Sequence, residues 1–228
     1  MYESPITSTV VTHFGPVPIT RPVVTTWLII VALSLLCWLL TRRLQRIPDG
    51  RQAGLEILVI GMTQQIKEVM RKDPRPFLPL LGTLFIFLVV ANLSGLIPDV
   101  EAPTSHIETP AALALIVFFA VHYFGARSRG VRGYLASFAE PRLIMLPLNI
   151  LSEITRTFSL MVRLFGNIMS GVFVIGVVLS LVGLFVPIPF MALELLTGLI
   201  QAYIFTVLAM VFIGSAIESS RASSRSTA

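Results

Sequence analysis

The chain has 228 residues, of which 55% are apolar and only 13% charged, and its mean hydropathy is +0.85. A soluble globular domain carries about 25% charged residues, so the composition excludes that class and points to a polytopic helical membrane protein built as one membrane unit. The net charge of +5 needs no nucleic-acid partner: eight of the 17 basic residues lie between Arg42 and Arg75 and four more between Arg127 and Arg142, the clustering that the positive-inside bias produces.

One cysteine, Cys37, lies inside an apolar run and offers no disulfide framework. Three scattered histidines, His13, His106 and His122, are a poor basis for a metal site. No metal or other cofactor is expected.

Residues 1–22 are polar, contain Pro5, Pro16, Pro18 and Pro22, and show no signal-peptide pattern. They read as an irregular tail outside the membrane. VVTTWLIIVALSLLCWLL follows, from Val23 to Leu40, long enough to cross a bilayer. TRRLQR comes next and marks the cytoplasmic side. From Gln52 to Arg71 the apolar residues Leu55, Leu58, Val59, Met62, Ile66 and Met70 recur at threes and fours among Gln64, Gln65, Lys67 and Glu68. That spacing predicts an amphipathic helix on the cytoplasmic interface, or equally one packed on another subunit.

DPRPFLP breaks the chain, and Leu78 to Ile97 crosses outward with Asn92 near its outer end. The loop from Pro98 to Pro110 holds Asp99, Glu101, His106 and Glu108 with no Lys or Arg, as an outside loop should. Ala111 to Ala126 crosses back to RSRGVRGY, and Ala136 to Arg142 is placed at the interface. The two remaining apolar stretches begin at Pro147 and Pro189. As helices they would be ~54 and ~45 Å long against a hydrocarbon core of ~30 Å, which a tilt of ~20° does not absorb. They are expected to be steeply tilted and to form an antiparallel hairpin with its tip at GLFVPIP.

The expected fold is therefore an all-α polytopic membrane protein. It has five membrane-embedded helices at about 23–41, 77–97, 110–126, 147–182 and 189–218, and an interfacial helix at about 52–71. The domain division is an outside tail, 1–22, and a single membrane domain, 23–228, with a cytoplasmic C-terminus.

The polar residues of the first hairpin helix form a pattern. Ser152, Thr155, Arg156, Ser159, Arg163, Asn167 and Ser170 are spaced by threes and fours, so they make one stripe down one helix face. Arg163 has no acid three or four residues away on either side. A charge in hydrocarbon costs at least ~2.5–3.5 kcal/mol and marks an ion path or a partner. Glu194, Thr197, Gly198 and Gln201 make a second stripe on the last helix.

With the hairpin tip as a depth marker, Arg163 faces roughly Gln201 to Leu208, while Glu194 lies on the order of 10 Å nearer the outer surface. Three zones result. Glu194, with Asn92, Asp99 and Thr197, can receive an ion from outside. Ser152, Glu153, Thr155, Arg156 and Ser159 can exchange one with the cytoplasm. Arg163 and Gln201 lie between, with Asn167 and Ser170 on the same stripe. Plainer readings stand beside these. Arg156 or Arg163 could snorkel to the interface, Glu194 could be neutral and bonded to the backbone or Thr197, and Asn167 and Gln201 could be interhelical hydrogen-bond glue. Gly166, Ser170, Gly171, Gly176 and Gly198 read as sites of close helix approach.

SLMVRLFGN, Ser159 to Asn167, resembles the signature of subunit a of F-type ATP synthases. Gln201-Ala202-Tyr203-Ile204-Phe205 is similar to that family's QAxIF segment, and Asn92-Leu93 with Leu96-Ile97-Pro98 to its NL..L.P stretch. The resemblance covers about Pro79 to Gly214.

It implies a stator subunit of a bacterial inner (plasma) membrane complex, without bond chemistry of its own, that offers two offset half-channels to a rotating ring of c subunits. Arg163 would be the arginine that attracts each ring carboxylate and blocks direct leakage of H+ (or Na+); its guanidinium, with a pKa above ~12, cannot itself give up the proton. Gln201 and Asn167 match positions near that arginine, and Glu194 the ionisable position of the outer half-channel. Peripheral-stalk b subunits and membrane lipid are the other implied partners. Many members carry an acid or histidine nine residues after the arginine, where this chain has Val172.

Two other classes are weaker. A secondary ion transporter would show internal repeats and broken helices. An intramembrane enzyme would need a nucleophile and base that the hairpin lacks.

Overall fold

The computed structural model describes residues 10–14, 17–42, 50–95, 102–131, 133–134, 145–182 and 186–225. Asp99, the stretch 136–142 and the hairpin tip at 183–185 lie outside them. A short antiparallel hairpin, β1 (Val10–Phe14) and β2 (Val17–Thr20), occupies the segment expected to be irregular. The prolines that argued for irregularity sit where a two-stranded ribbon tolerates them: Pro18 is on a strand with no further strand beyond it, so its missing N–H need not break a ladder.

Six helices follow. They are α1 (Arg21–Thr41), α2 (Gly50–Met70), α3 (Leu78–Ser94), α4 (Glu108–Arg129), α5 (Met145–Val182) and α6 (Pro187–Arg225). Prolines sit in the first turns of α1 and α3, where their missing N–H is no loss. Gly130, at φ 76°, ends α4 in a backbone region that glycine enters without strain. The four helices α1, α4, α5 and α6 are long and apolar enough to span a membrane, and α3 is a shorter apolar helix of 17 residues. The chain is thus an all-α polytopic membrane protein. Its last helix runs on to Arg225, past the boundary near 218 that the end of the apolar stretch suggested.

Helix α6 is the centre of the bundle. From residue 198 to 217 its buried residues are Gly198, Gln201, Ala202, Phe205, Thr206, Ala209, Met210, Ile213, Gly214 and Ile217, alternating steps of three and one, so one broad face is covered. Against it lie Leu81, Leu84 and Leu88 of α3, Leu113, Ala114, Val117, Ala120 and Val121 of α4, and Leu160 and Leu164 of α5. Alanines and glycines on α6 let these neighbours approach closely, which is how helices bind one another where lipid is as apolar as leucine.

Helix α2 contributes Met62, Ile66 and Met70 to the same core. Its other apolar residues behave differently: Leu55 and Leu58 are half-buried, while Ile57, Val59 and Ile60 are exposed. Its fully buried residues are thus all in its C-terminal half, with Leu58 packed at the edge of the same core. Helix α1 is peripheral. Pro22 and Ile29 are its buried residues, and Trp27, Leu28, Val31, Leu35 and Trp38 face outward. Its start is tied to α4 by the hydroxyl of Thr20, which donates to the Glu108 carboxylate at 3.1 Å.

Candidate functional site

The register between α5 and α6 is set by a glycine. A Cβ placed on Gly171 would stand 2.8 Å from Oε1 of Glu194, 2.9 Å from its Cδ and 3.0 Å from its Cγ. The Glu194 side chain therefore lies directly on the Gly171 backbone, in space that only glycine leaves open. Antiparallel helices that meet at Gly171 and Glu194 meet again, eight residues on along each, at Arg163 and Ala202. The buried residues agree with this register, since Leu160 and Leu164 pack into the core beside Ala202 and Phe205. Gln201 is accordingly at the depth of Arg163, and Glu194 seven residues, or about 10 Å, nearer the hairpin tip, as the sequence implied.

The two groups at the common depth differ in exposure. Gln201 is 6% exposed, and its amide nitrogen is buried without a hydrogen-bond partner among the described residues. Arg163 is exposed and has no ion pair or hydrogen bond among the described residues. The rest of the polar stripe points the same way as Arg163. Ser152, Thr155, Arg156, Ser159 and Ser170 are all exposed, Glu153 and Asn167 half-buried, and the buried stripe of α5 is Leu160, Leu164 and Ile168. The chain thus keeps its polar α5 face out of its own core, on a helix long and apolar enough to lie in a membrane.

Nearer the tip, Asn92 joins three elements. Its amide Nδ2 donates to the carbonyl of Gly198 at 2.7 Å, and its Oδ1 accepts from the Thr104 hydroxyl at 3.1 Å. A Cβ on Gly198 would be 3.2 Å from Cβ of Asn92, so this glycine is what lets α3 lie against α6. Thr197 does not bond the Glu194 carboxylate. Its hydroxyl donates to the Glu194 backbone carbonyl at 3.0 Å. Ser170 likewise donates to the Asn167 carbonyl at 2.9 Å, so both hydroxyls are partly engaged within their own helices.

At the opposite end of α5, Glu153 and Arg156 approach to 3.8 Å, and the Arg156 guanidinium lies 5.6 Å from the centre of the Phe212 ring of α6. Thr155 donates to the Leu151 carbonyl at 2.7 Å. Such an exposed ion pair contributes little to stability. Arg156 is closer to its ring and its acid than to any role beside Arg163.

Sequence reasoning missed Gly171 as the seat of Glu194, Thr104 as the partner of Asn92, and a further group, Tyr134. The first was visible only as a glycine in a run of small residues. The number sum that the hairpin imposes on facing residues was its one available signal. Tyr134, beyond the end of α4, is 7% exposed. Its ring overlaps the place of a Cβ on Gly125, including a Cδ2 contact of 2.9 Å, and meets His122 edge-on at 5.8 Å between ring centres. Burial first, and then the charge of Glu153, push its hydroxyl up to about 12, so it is neutral at ordinary pH. It closes α4 onto the start of α5.

Comparison with known proteins accords with this arrangement. The family described as ATP synthase A chain matches residues 23–214. A Bradyrhizobium protein named ATP synthase subunit a 2 is 75% identical over 96% of this chain and 98% of its own length. Proteins of the same name from Acaryochloris marina and Pelobacter propionicus are 44% and 45% identical, over 92% and 91% of this chain and 91% of their own lengths in each case.

Proposed function

The chain belongs to the ATP synthase subunit a family, and from that premise we propose that it is the ion-translocating stator subunit of a rotary F-type complex, with two offset half-channels and Arg163 as the charge barrier between them. The observation that carries this reading is Arg163 itself: exposed on a membrane-length helix, at the depth of buried Gln201, with no counter-charge among the described residues of its own chain. A guanidinium at such a depth needs a partner. A ring of c subunits carrying mid-membrane carboxylates supplies one that arrives, pairs and moves on.

The half-channels follow from the two polar groupings. The outer one runs past Asn92 and Thr197 to Glu194, with Asp99 as a candidate in the loop. The inner one runs from Ser152, Glu153, Thr155, Arg156 and Ser159 toward Arg163. Leu160, Leu164, Ala202 and Phe205 form an apolar layer between them on the inward face, so the shortest path from one to the other crosses hydrocarbon or the Arg163 charge. Asn167, Ser170 and Gln201 flank the arginine. An ion that cannot pass directly must ride the ring. The subunit moves H+ (or Na+) and makes or breaks no bond; it is not itself an enzyme.

In this reading the chain sits in a bacterial inner (plasma) membrane as a single membrane unit from about residue 23. The segment 1–22 is outside, the C-terminus is cytoplasmic, and lipid and peripheral-stalk b subunits cover the remaining faces. The exposed apolar surface of α1 is available for either.

Arg163→Ala tests the proposal. In the assembled complex in liposomes it should abolish ATP synthesis driven by an imposed ion gradient, while ATP hydrolysis by the detached soluble sector continues. Retained synthesis would overturn it.

A further inference from the structure

We propose that Thr104 is a positioning residue of the outer half-channel, anchoring the Asn92 amide so that it clamps α6 at Gly198, one turn from Glu194. The proposal rests on the outer half-channel read above and adds to it a residue that no motif marks.

Thr104 belongs to a single 3-10 turn, Pro103–Ser105, between α3 and α4. Such a connecting segment belongs on the surface, yet Thr104 is fully buried, and Ala102 and Pro103 beside it are buried too. The turn is held in place by Ser105, whose backbone N–H and hydroxyl both donate to the Ala102 carbonyl, at 3.0 and 2.7 Å. The loop is thus a strap pressed into the bundle, with one hydroxyl delivered to one acceptor.

The Gly198 carbonyl, which can only accept, fixes which way Asn92 faces, and the Thr104 hydroxyl anchors the oxygen this leaves. An asparagine amide can turn over at little steric cost, exchanging its oxygen and nitrogen. Here the Thr104 hydroxyl donates to Oδ1 at 3.1 Å, which leaves Nδ2 to donate to the Gly198 carbonyl at 2.7 Å. Turned over, Asn92 would set its oxygen against the Gly198 carbonyl oxygen, two acceptors with no proton between them. Without the hydroxyl, Oδ1 loses this donor and the strap no longer holds the amide against Gly198. The consequence reaches Glu194 because Gly198 follows it by one helical turn on the same face, about 6 Å along the axis, and because the Glu194 side chain is seated on Gly171. Asn92 from α3 and Gly171 from α5 thus meet α6 at adjacent turns. Loosening the first lets Glu194 shift relative to the second.

The test uses the assembled complex in liposomes, with the external and internal ion concentrations varied separately. Thr104→Val keeps the shape and removes the donor; Thr104→Ser keeps the donor. The loss of one hydrogen bond predicts that Thr104→Val raises the external ion concentration needed for half-maximal ATP synthesis by roughly three- to tenfold, with the internal dependence unchanged. Thr104→Ser should restore the parental external dependence, and Thr104→Val should add nothing in an Asn92→Ala background. A uniform fall in rate with no external shift, or no rescue by serine, overturns the proposal. Should Thr104→Val fail to assemble, Gly198→Ala opens the same clamp with Thr104 intact and must give the external shift; a parental profile there overturns it. Glu194→Gln, measured alongside, separates the two levels: if it leaves the rate unchanged the outer half-channel reading fails, and if it slows the rate while Thr104→Val does not, only the Thr104 assignment fails.

Discussion

Gly171→Ala is the sharpest probe of how Glu194 is placed. The new methyl carbon would sit 2.8 to 3.0 Å from three atoms of the Glu194 side chain, where carbon contacts are ordinarily about 3.5–4.0 Å. The obstructing group is a flexible carboxyl end rather than backbone, so the helices need not part. The carboxylate moves instead, into a rotamer costing about 0.5–1.5 kcal/mol, while alanine gains about 1 kcal/mol of helix propensity over glycine. The two effects nearly cancel, so the thermal stability of the complex should change little. Function should not be spared, because an ion-relaying carboxylate displaced by about 1 Å can lose as much as 100-fold in rate. The assay is ATP synthesis in liposomes at equal complex content, with Gly82→Ala as reference. A Cβ on Gly82 meets nothing within 4 Å. Synthesis at the parental rate in Gly171→Ala would refute the claim that this contact sets the working position of Glu194.

Three further outcomes follow from the packing. Gly125→Ala should drive the Tyr134 ring from its notch and destabilise the chain by about 1–3 kcal/mol, as overpacking does, measurable as a lower unfolding temperature of the purified complex. Leu88, fully buried on α3, should cost about 2 kcal/mol or more on truncation to Ala, lowering that temperature while the surviving complex keeps its ion dependence. The Tyr134 hydroxyl, raised to about 12 by burial and the Glu153 charge, contributes stability that is fully present below the unfolded value of about 10 and is lost as pH rises through about 12. Its tyrosinate absorbance, isolated by subtracting a Tyr134→Phe complex, should be absent at pH 10. Titration at the ordinary value would show the ring to be unburied.

Much of this was legible in the residues, for a definite reason. In hydrocarbon the backbone must satisfy its own hydrogen bonds, so apolar runs of sufficient length become helices whatever their neighbours, and α1, α3, α4, α5 and α6 lay where hydropathy put them. The hairpin arithmetic then placed Arg163 at the depth of Gln201 and separated both from Glu194, because helical rise is constant. The polar stripe of α5 also announced itself by spacing alone. The short strands at 10–14 and 17–20 were not legible, since a polar proline-containing ribbon carries no periodicity of its own.

What the tertiary structure decided is which face of each helix meets which neighbour. Periodicity defines a stripe but not its direction. The structure turned the stripe of Arg163 outward and that of Gln201 inward, where its amide nitrogen has no hydrogen-bond partner among the described residues. It gave Gly171 to Glu194, in space that a Cβ would fill. It also pressed Thr104 against Asn92 from a loop with no motif. These are pairings between residues distant in sequence, and they arise from the fit of side chains across helix interfaces. Segment length, charge bias and helical rise are properties of one stretch of chain and can be read from it; a contact belongs to two.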